Sequence, residues 1–170
     1  MKLGFRKARS FALLFAGLLA LGLSHTMDGY AVVFGIALVV SAAFTLVYVF
    51  LHFDEKINPK IVMEMIADGF SGLVIFTYPY SDERFLMIVF AFWIVFMAAM
   101  LLTSGLMDES KKDRMWTYTL TGIVLLVLGF VIMHYNEESM GSVLYLIGFT
   151  ILFLAGVNLY LMYGMKREVY

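Results

Sequence analysis

Two carboxylates lie inside the third of six apolar stretches of this chain. Glu64 and Asp68 are four residues apart, so on a helix they share one face. An ionisable side chain at bilayer depth costs about 2.5–3.5 kcal/mol on insertion scales and is a functional candidate by default. Burial and a second carboxylate one turn away both favour the protonated form. The pair is therefore a candidate intramembrane proton or ion site.

The same two residues also fit a structural interpretation. Glu64 would then reach the cytoplasmic interface, and Asp68 would stay protonated and hydrogen-bond to a neighbouring helix. Asn158, in the sixth apolar stretch, lies at a comparable depth and is a candidate partner for Asp68. We expect no Arg or Lys deep enough within a span to neutralise the pair, so both interpretations stay open.

Histidines near two outer turns are the next candidates. His25 and His134 lie close to Asp28 and to Glu137 and Glu138, respectively. Because histidine changes its charge between about pH 5 and 8, these two residues could sense external acid; inert interfacial histidines are the alternative. The chain has no cysteine and no P-loop, zinc-protease or serine-hydrolase motif. We expect no catalytic residue, no metal and no cofactor.

The composition excludes a soluble protein. Of 170 residues, 62% are hydrophobic and 15% are charged, whereas soluble domains have about 45–50% and about 25%. The formal net charge of −1 argues against nucleic acid as a partner. The expected partner is the lipid bilayer, and a second copy or another membrane protein would have to dock mainly on lipid-facing helices.

The elements that must position these residues are predicted to be six transmembrane helices, since each apolar stretch is close to the roughly 20 residues that a span needs. Transmembrane β-strands would alternate apolar and polar residues, and these stretches do not. The fold class is an all-α membrane protein. The predicted spans are Arg9–Leu23, Tyr30–Leu51, Ile61–Tyr78, Phe85–Leu106, Trp116–His134 and Met140–Gly164.

Basic residues predict the orientation, because cytoplasmic loops carry an excess of Lys and Arg. Eleven of the twelve fall on one side of the six predicted spans, and Arg84 alone falls on the other. Both termini are therefore expected in the cytoplasm, in a multi-pass inner-membrane protein. The first span follows several basic residues, as in a signal peptide, but no A-x-A cleavage site follows it, so we expect an uncleaved helix.

The spans are predicted to form three tandem parallel hairpins, with repeats at approximately 5–55, 58–109 and 113–167 of a single membrane domain, 1–170. A shift of 57 residues aligns Gly72 with Gly129. Every copy begins on the same side, unlike the inverted repeats of many transporters. Small residues such as Ala16 and Gly72 are expected to let helix backbones approach closely.

The third copy resembles the HdeD-like family of small bacterial inner-membrane proteins. It has an initial Trp116, the glycines Gly122 and Gly129, an outer turn, and a Leu-Ile-Gly helix that ends near Gly156; copy two keeps Pro79 at its outer turn. The resemblance implies a non-enzymatic protein associated with acid or envelope stress, without a known mechanism. Two alternatives stay open: a small proton- or ion-coupled carrier that uses Glu64 and Asp68, and a membrane subunit of a larger assembly.

Overall fold

Six α-helices make up the regular structure of the described residues, which are 2–22, 27–53, 57, 59–78, 82–107, 115–135 and 140–164 of a computed structural model. Short connections join consecutive helices. The helices are α1 (Lys2–Gly22), α2 (Met27–Leu51), α3 (Pro59–Thr77), α4 (Glu83–Met107), α5 (Met115–Met133) and α6 (Met140–Gly164).

Most helix ends lie within two residues of the predicted spans. Pro59 begins α3, a position that tolerates proline because the first helical N–H has no partner within the helix. The carboxylate of Asp82 accepts the backbone N–H of Arg84, 3.4 Å away, at the start of α4. The large difference is α1, which begins at Lys2 rather than Arg9. Arg9 therefore lies about 10 Å along that helix.

The helices form a closed ring. Each helix packs against its neighbours in the chain, and α1 also packs against α6. Neighbouring helices run in opposite directions, so the starts of α1, α3 and α5 lie on the same face as the ends of α2, α4 and α6. We call this side the terminal face and the other side the opposite face. Lys60 Nζ donates to Ser104 Oγ, 3.0 Å away, and joins α3 to α4 near the terminal face.

Three glycines mark the closest helix contacts. A Cβ added to Gly17 would lie 2.8 Å from Leu152 Cγ of α6, and one added to Gly72 would lie 2.8 Å from the backbone nitrogen of Val39 in α2. A Cβ at Gly129 would lie 2.7 Å from Val95 Cγ2 of α4. Thus α1 approaches α6, α3 approaches α2 and α5 approaches α4, each between different predicted hairpins. Small residues do permit close backbone approach here.

Within the described residues, four helices are long and apolar enough to cross a bilayer: Gly29–Leu51, Arg84–Leu106, Met115–Met133 and Ser142–Tyr163. The chain is thus an all-helical protein with membrane character. Helices α1 and α3 are not among the four. Their lengths of 21 and 19 residues correspond to about 31 and 28 Å, close to the roughly 30 Å of a hydrocarbon core. What distinguishes them is charge, because α1 carries Lys7 and Arg9 and α3 carries Lys60, Glu64 and Asp68.

Candidate functional site

The charged side chains of α1 and α3 meet inside the ring. Arg9 Nη1 lies 2.9 Å from Glu64 Oε1, and Arg9 Nη2 lies 2.8 Å from Asp68 Oδ2. Arg9 Nε also donates to Asp68 Oδ2 at 2.8 Å. The exposed fraction is 1% for Arg9 and 0% for both carboxylates. One guanidinium therefore holds two carboxylates in the interior, and we call these three residues the charge cluster.

Two further helices bind the charge cluster through Asp68. Ser41 Oγ of α2 donates to Asp68 Oδ2, and Trp93 Nε1 of α4 donates to Asp68 Oδ1 at 2.8 Å. A single carboxylate thus joins α1, α2, α3 and α4. Hydrogen bonds to a carboxylate stabilise its charged form, and each of these donors is itself buried.

The position of Arg9 corrects the expectation that no cation reaches the carboxylates. Because α1 begins seven residues before the predicted span, Arg9 lies inside the helix and not at the membrane surface. Glu64 is also fully buried and does not reach the cytoplasmic interface. The prediction that Glu64 and Asp68 share one helix face is confirmed by their common contact with Arg9.

Close packing of α2 on α3 positions the serine. Gly72 lies one turn from Asp68, and a Cβ there would overlap Leu38 and Val39. With hydrogen in place of a side chain, α2 comes near enough for Ser41 to reach the carboxylate. The sequence analysis missed Ser41; the small residue in an apolar helix, in register with the glycines of α3, was the available signal.

An aromatic layer fixes Trp93, which the sequence analysis also missed. The ring of Phe34 stands edge-on to Trp93 at 5.4 Å and tilted against Phe90 at 4.6 Å. Tyr30 stacks on Phe90 at 5.4 Å. These rings lie between the charge cluster and the opposite face, together with the buried Ile75. On that side, the interior next to the cluster is closed by apolar and aromatic side chains.

The interior towards the terminal face is more polar. The buried Thr45, Thr121 and Asn158 lie on that side of the cluster, in α2, α5 and α6, and Ser104 lies beyond them at the end of α4. Thr45 Oγ1 donates to the carbonyl of Ser41 at 3.0 Å. The two halves of the ring interior therefore differ, and the charge cluster sits where the polar half meets the apolar half.

Asn158 lies near the charge cluster but does not bond to Asp68. Lys7 and Gly17 of α1 meet Tyr163 and Leu152 of α6, respectively, so this register places Asn158 within about one helical turn of Arg9 in height. The Asn158 Oδ1 atom is buried and has no hydrogen-bond partner in the described part of the protein. Arg9 takes the place that the predicted Asp68–Asn158 hydrogen bond would need.

The two histidine candidates are not brought together by any contact in the described chain. His134 is exposed after α5, and its Nδ1 lies 2.9 Å from the carbonyl oxygen of Phe130. His25 lies outside the described residues. A role of these histidines in sensing external acid stays a prediction. Among the described residues, no three His, Asp or Glu side chains are grouped as they would be to hold a metal ion.

A family model matches the chain twice. The family is described as a short repeat of unknown function (DUF308), and its model matches residues 65–133 and again residues 120–169. The chain belongs to the DUF308 family. The DUF308 matches begin 55 residues apart, close to the period of about 56 in the sequence. They include Asp68, Trp93 and Asn158, whereas Arg9 and Ser41 lie before them.

DUF308 is the domain of HdeD-like proteins, so the family supports the resemblance at that level. No curated protein and no solved structure matches this DUF308 chain.

Proposed function

We propose that this DUF308 protein is a six-span protein of the bacterial inner membrane that acts without enzymatic chemistry in resistance to acid or envelope stress. The observation that carries the proposal is the charge cluster. It uses the charges of α1 and α3 to hold four helices together inside a filled ring. The HdeD-like resemblance supplies the stress association, and the absence of a sequence motif for a nucleophile, a metal or a nucleotide favours a non-enzymatic role.

The charge cluster supports a membrane position for α1 and α3 as well. A buried charge is tolerated in an apolar medium when it is paired and hydrogen-bonded, and Arg9, Glu64 and Asp68 meet that condition together. The remaining charges described on these helices, Lys7 and Lys60, lie near the terminal face. With both helices crossing, the chain has three hairpins with cytoplasmic termini, as the distribution of Lys and Arg favours.

Single-cysteine labelling tests this topology, because the natural chain contains no cysteine. We expect Ser139→Cys, between α5 and α6, to react with a membrane-impermeant maleimide in intact spheroplasts. Ser110→Cys, between α4 and α5, should react only after permeabilisation. The cysteine-free protein controls for background. Labelling of Ser110→Cys in intact spheroplasts would contradict the orientation.

An acid-survival assay tests the stress role. A strain that lacks the protein should survive a low-pH challenge less well than its parent, and the wild-type gene should restore survival. Arg9→Met, which breaks the charge cluster, should restore survival poorly. Lys7→Met is the matched control, since it removes a cation of the same helix that contacts Tyr163 instead. Equal survival of parent and deletion strains across growth phases and at low pH would contradict the role.

A proton-coupled carrier is the second candidate, favoured by the presence of two carboxylates around one guanidinium. Proton flux into proteoliposomes with an internal pH dye distinguishes the two functions. A flux that Asp68→Asn and Glu64→Gln abolish, in protein that still folds, would favour the carrier. Flux no greater than in empty liposomes is the result expected for the non-transporting protein.

A further inference from the structure

Two buried polar atoms beside the charge cluster lack hydrogen-bond partners in the described part of the protein. One is Ser71 Oγ, on the helix turn that follows Asp68, and the other is Asn158 Oδ1, near the height of Arg9 on α6. Ser71 is fully buried, and Asn158 is 2% exposed. A buried polar atom without a partner is unfavourable. Two of them next to one ionic site indicate that the site has a second arrangement in which both are used.

We propose that Glu64 and Asp68 form a proton-binding site open to the cytoplasm, and that Arg9 transfers from these carboxylates to Asn158 Oδ1 when the proton binds. The proposal rests on the orientation given under the proposed function, in which the terminal face is cytoplasmic.

The chemistry of the three side chains gives the reason for the transfer. A guanidinium keeps its charge and its five N–H donors at any physiological pH. A carboxylate that takes up a proton loses its negative charge and gains an O–H donor. The bond to Arg9 then weakens, and the guanidinium needs another acceptor, which the amide oxygen of Asn158 offers. Ser71 Oγ, one turn along α3, can accept the new O–H of Asp68.

The two halves of the interior set the side from which the proton comes. Phe34, Phe90 and Ile75 are buried between the cluster and the opposite face, and apolar side chains do not conduct protons. Hydroxyl and amide groups of Thr45, Thr121 and Asn158 lie towards the terminal face. A proton from cytoplasmic water binds a carboxylate oxygen and returns by the same side.

The other ionisable groups on these elements are few in the described side chains. Helices α2 and α4 pack directly against α3, and α1 reaches it through Arg9. At the height of Asp68, α2 presents Ser41 and α4 presents Trp93, neither of which titrates. The ionisable groups elsewhere on these four helices or directly after α2 are Lys7, Tyr30, Tyr48, His52, Lys60 and Arg84.

Infrared difference spectroscopy on proteoliposomes of one orientation measures the proton directly. Lowering the pH from about 8 to 5, a range in which perturbed carboxylates titrate, on the cytoplasmic side should produce a reversible protonated-carboxyl band. The band should be absent when Glu64→Gln and Asp68→Asn are combined. Asn158→Leu should weaken proton binding about tenfold, since the displaced charge loses a hydrogen bond. Thr150→Val, a buried polar change elsewhere on α6, should leave the titration unchanged.

Fluorescence establishes that each variant is folded. The chain has two tryptophans, so Trp116→Phe leaves Trp93, which bonds to Asp68, as the sole emitter. Folded wild type with no band, a band that follows only the external pH, or an unchanged titration in Asn158→Leu would overturn the inference. The acid-survival assay is independent, because a deletion strain can be acid-sensitive whether or not Arg9 moves.

Discussion

Arg9→Met is expected to lower the free energy of unfolding by about 3–5 kcal/mol, the usual effect of removing one partner from a buried ion pair. The side chains have similar lengths, so the main loss is the guanidinium. Glu64 and Asp68 would remain fully buried without the three nitrogens that contact them. The measurement is the unfolding midpoint of detergent-solubilised or nanodisc protein in a denaturant series at neutral pH.

Lys7→Met is the matched control for this measurement. Lys7 lies on the same helix, with Nζ 4.0 Å from the centre of the Tyr163 ring, and is only half-buried. A cation–π contact at an exposed site is worth about 0.5–1 kcal/mol, so its loss should have a small effect. Equal destabilisation by the two substitutions would show that the charge cluster does not stabilise the fold.

Two further measurements distinguish unpaired charge from poor packing. Adding Glu64→Gln and Asp68→Asn to Arg9→Met should recover part of the lost stability, because residues in one ionic network are not additive. Guanidinium chloride, at concentrations too low to denature, should stabilise Arg9→Met by occupying the vacated site. Sodium chloride at the same ionic strength is the control. Failure of both would indicate that the methionine packs badly.

The helices could be predicted from the sequence more completely than the charge cluster. Long apolar stretches separated by short polar turns locate five helices well, because a span must be apolar over a fixed length. The start of α1 could not be found in this way. Lys2, Arg6, Lys7 and Arg9 have the composition of a cytoplasmic flank, and whether such a flank is helical depends on what its side chains meet. Arg9 is drawn inside by carboxylates 55 and 59 residues later in the chain.

The partners of Asp68 were hidden for a similar reason. Depth along each helix can be read from residue numbers, and it placed Asn158 near the site. Which helices face one another depends on how the ring closes, and the contact of α1 with α6 is between the two ends of the chain. Once Arg9 enters from α1 and Trp93 from α4, Asp68 bonds to them and to Ser41, and Asn158 is not one of its partners.

Gly72→Ala is expected to destabilise the protein by about 1–3 kcal/mol, the usual effect of overpacking a close contact. The added Cβ would lie 2.8 Å from both Leu38 Cβ and the Val39 nitrogen. Neither atom can be relieved by a rotamer change, so α2 must move away from α3. Because Ser41 follows Val39 by two residues, its bond to Asp68 should weaken too. The unfolding midpoint measures the stability, and Trp93 emission in a Trp116→Phe background reports on the site.

Gly156→Ala is the control for this substitution, since nothing lies within 4 Å of the added Cβ. It should be neutral or slightly stabilising, because alanine favours a helix over glycine by about 0.5–1 kcal/mol. Gly17→Ala and Gly129→Ala should fall between the two. Their closest neighbours, Leu152 and Val95, are contacted at side-chain atoms that can shift. If Gly72→Ala were as mild as Gly156→Ala, the approach of α2 to α3 would not be limited by backbone contact. The position of Ser41 at the carboxylate would then need another cause.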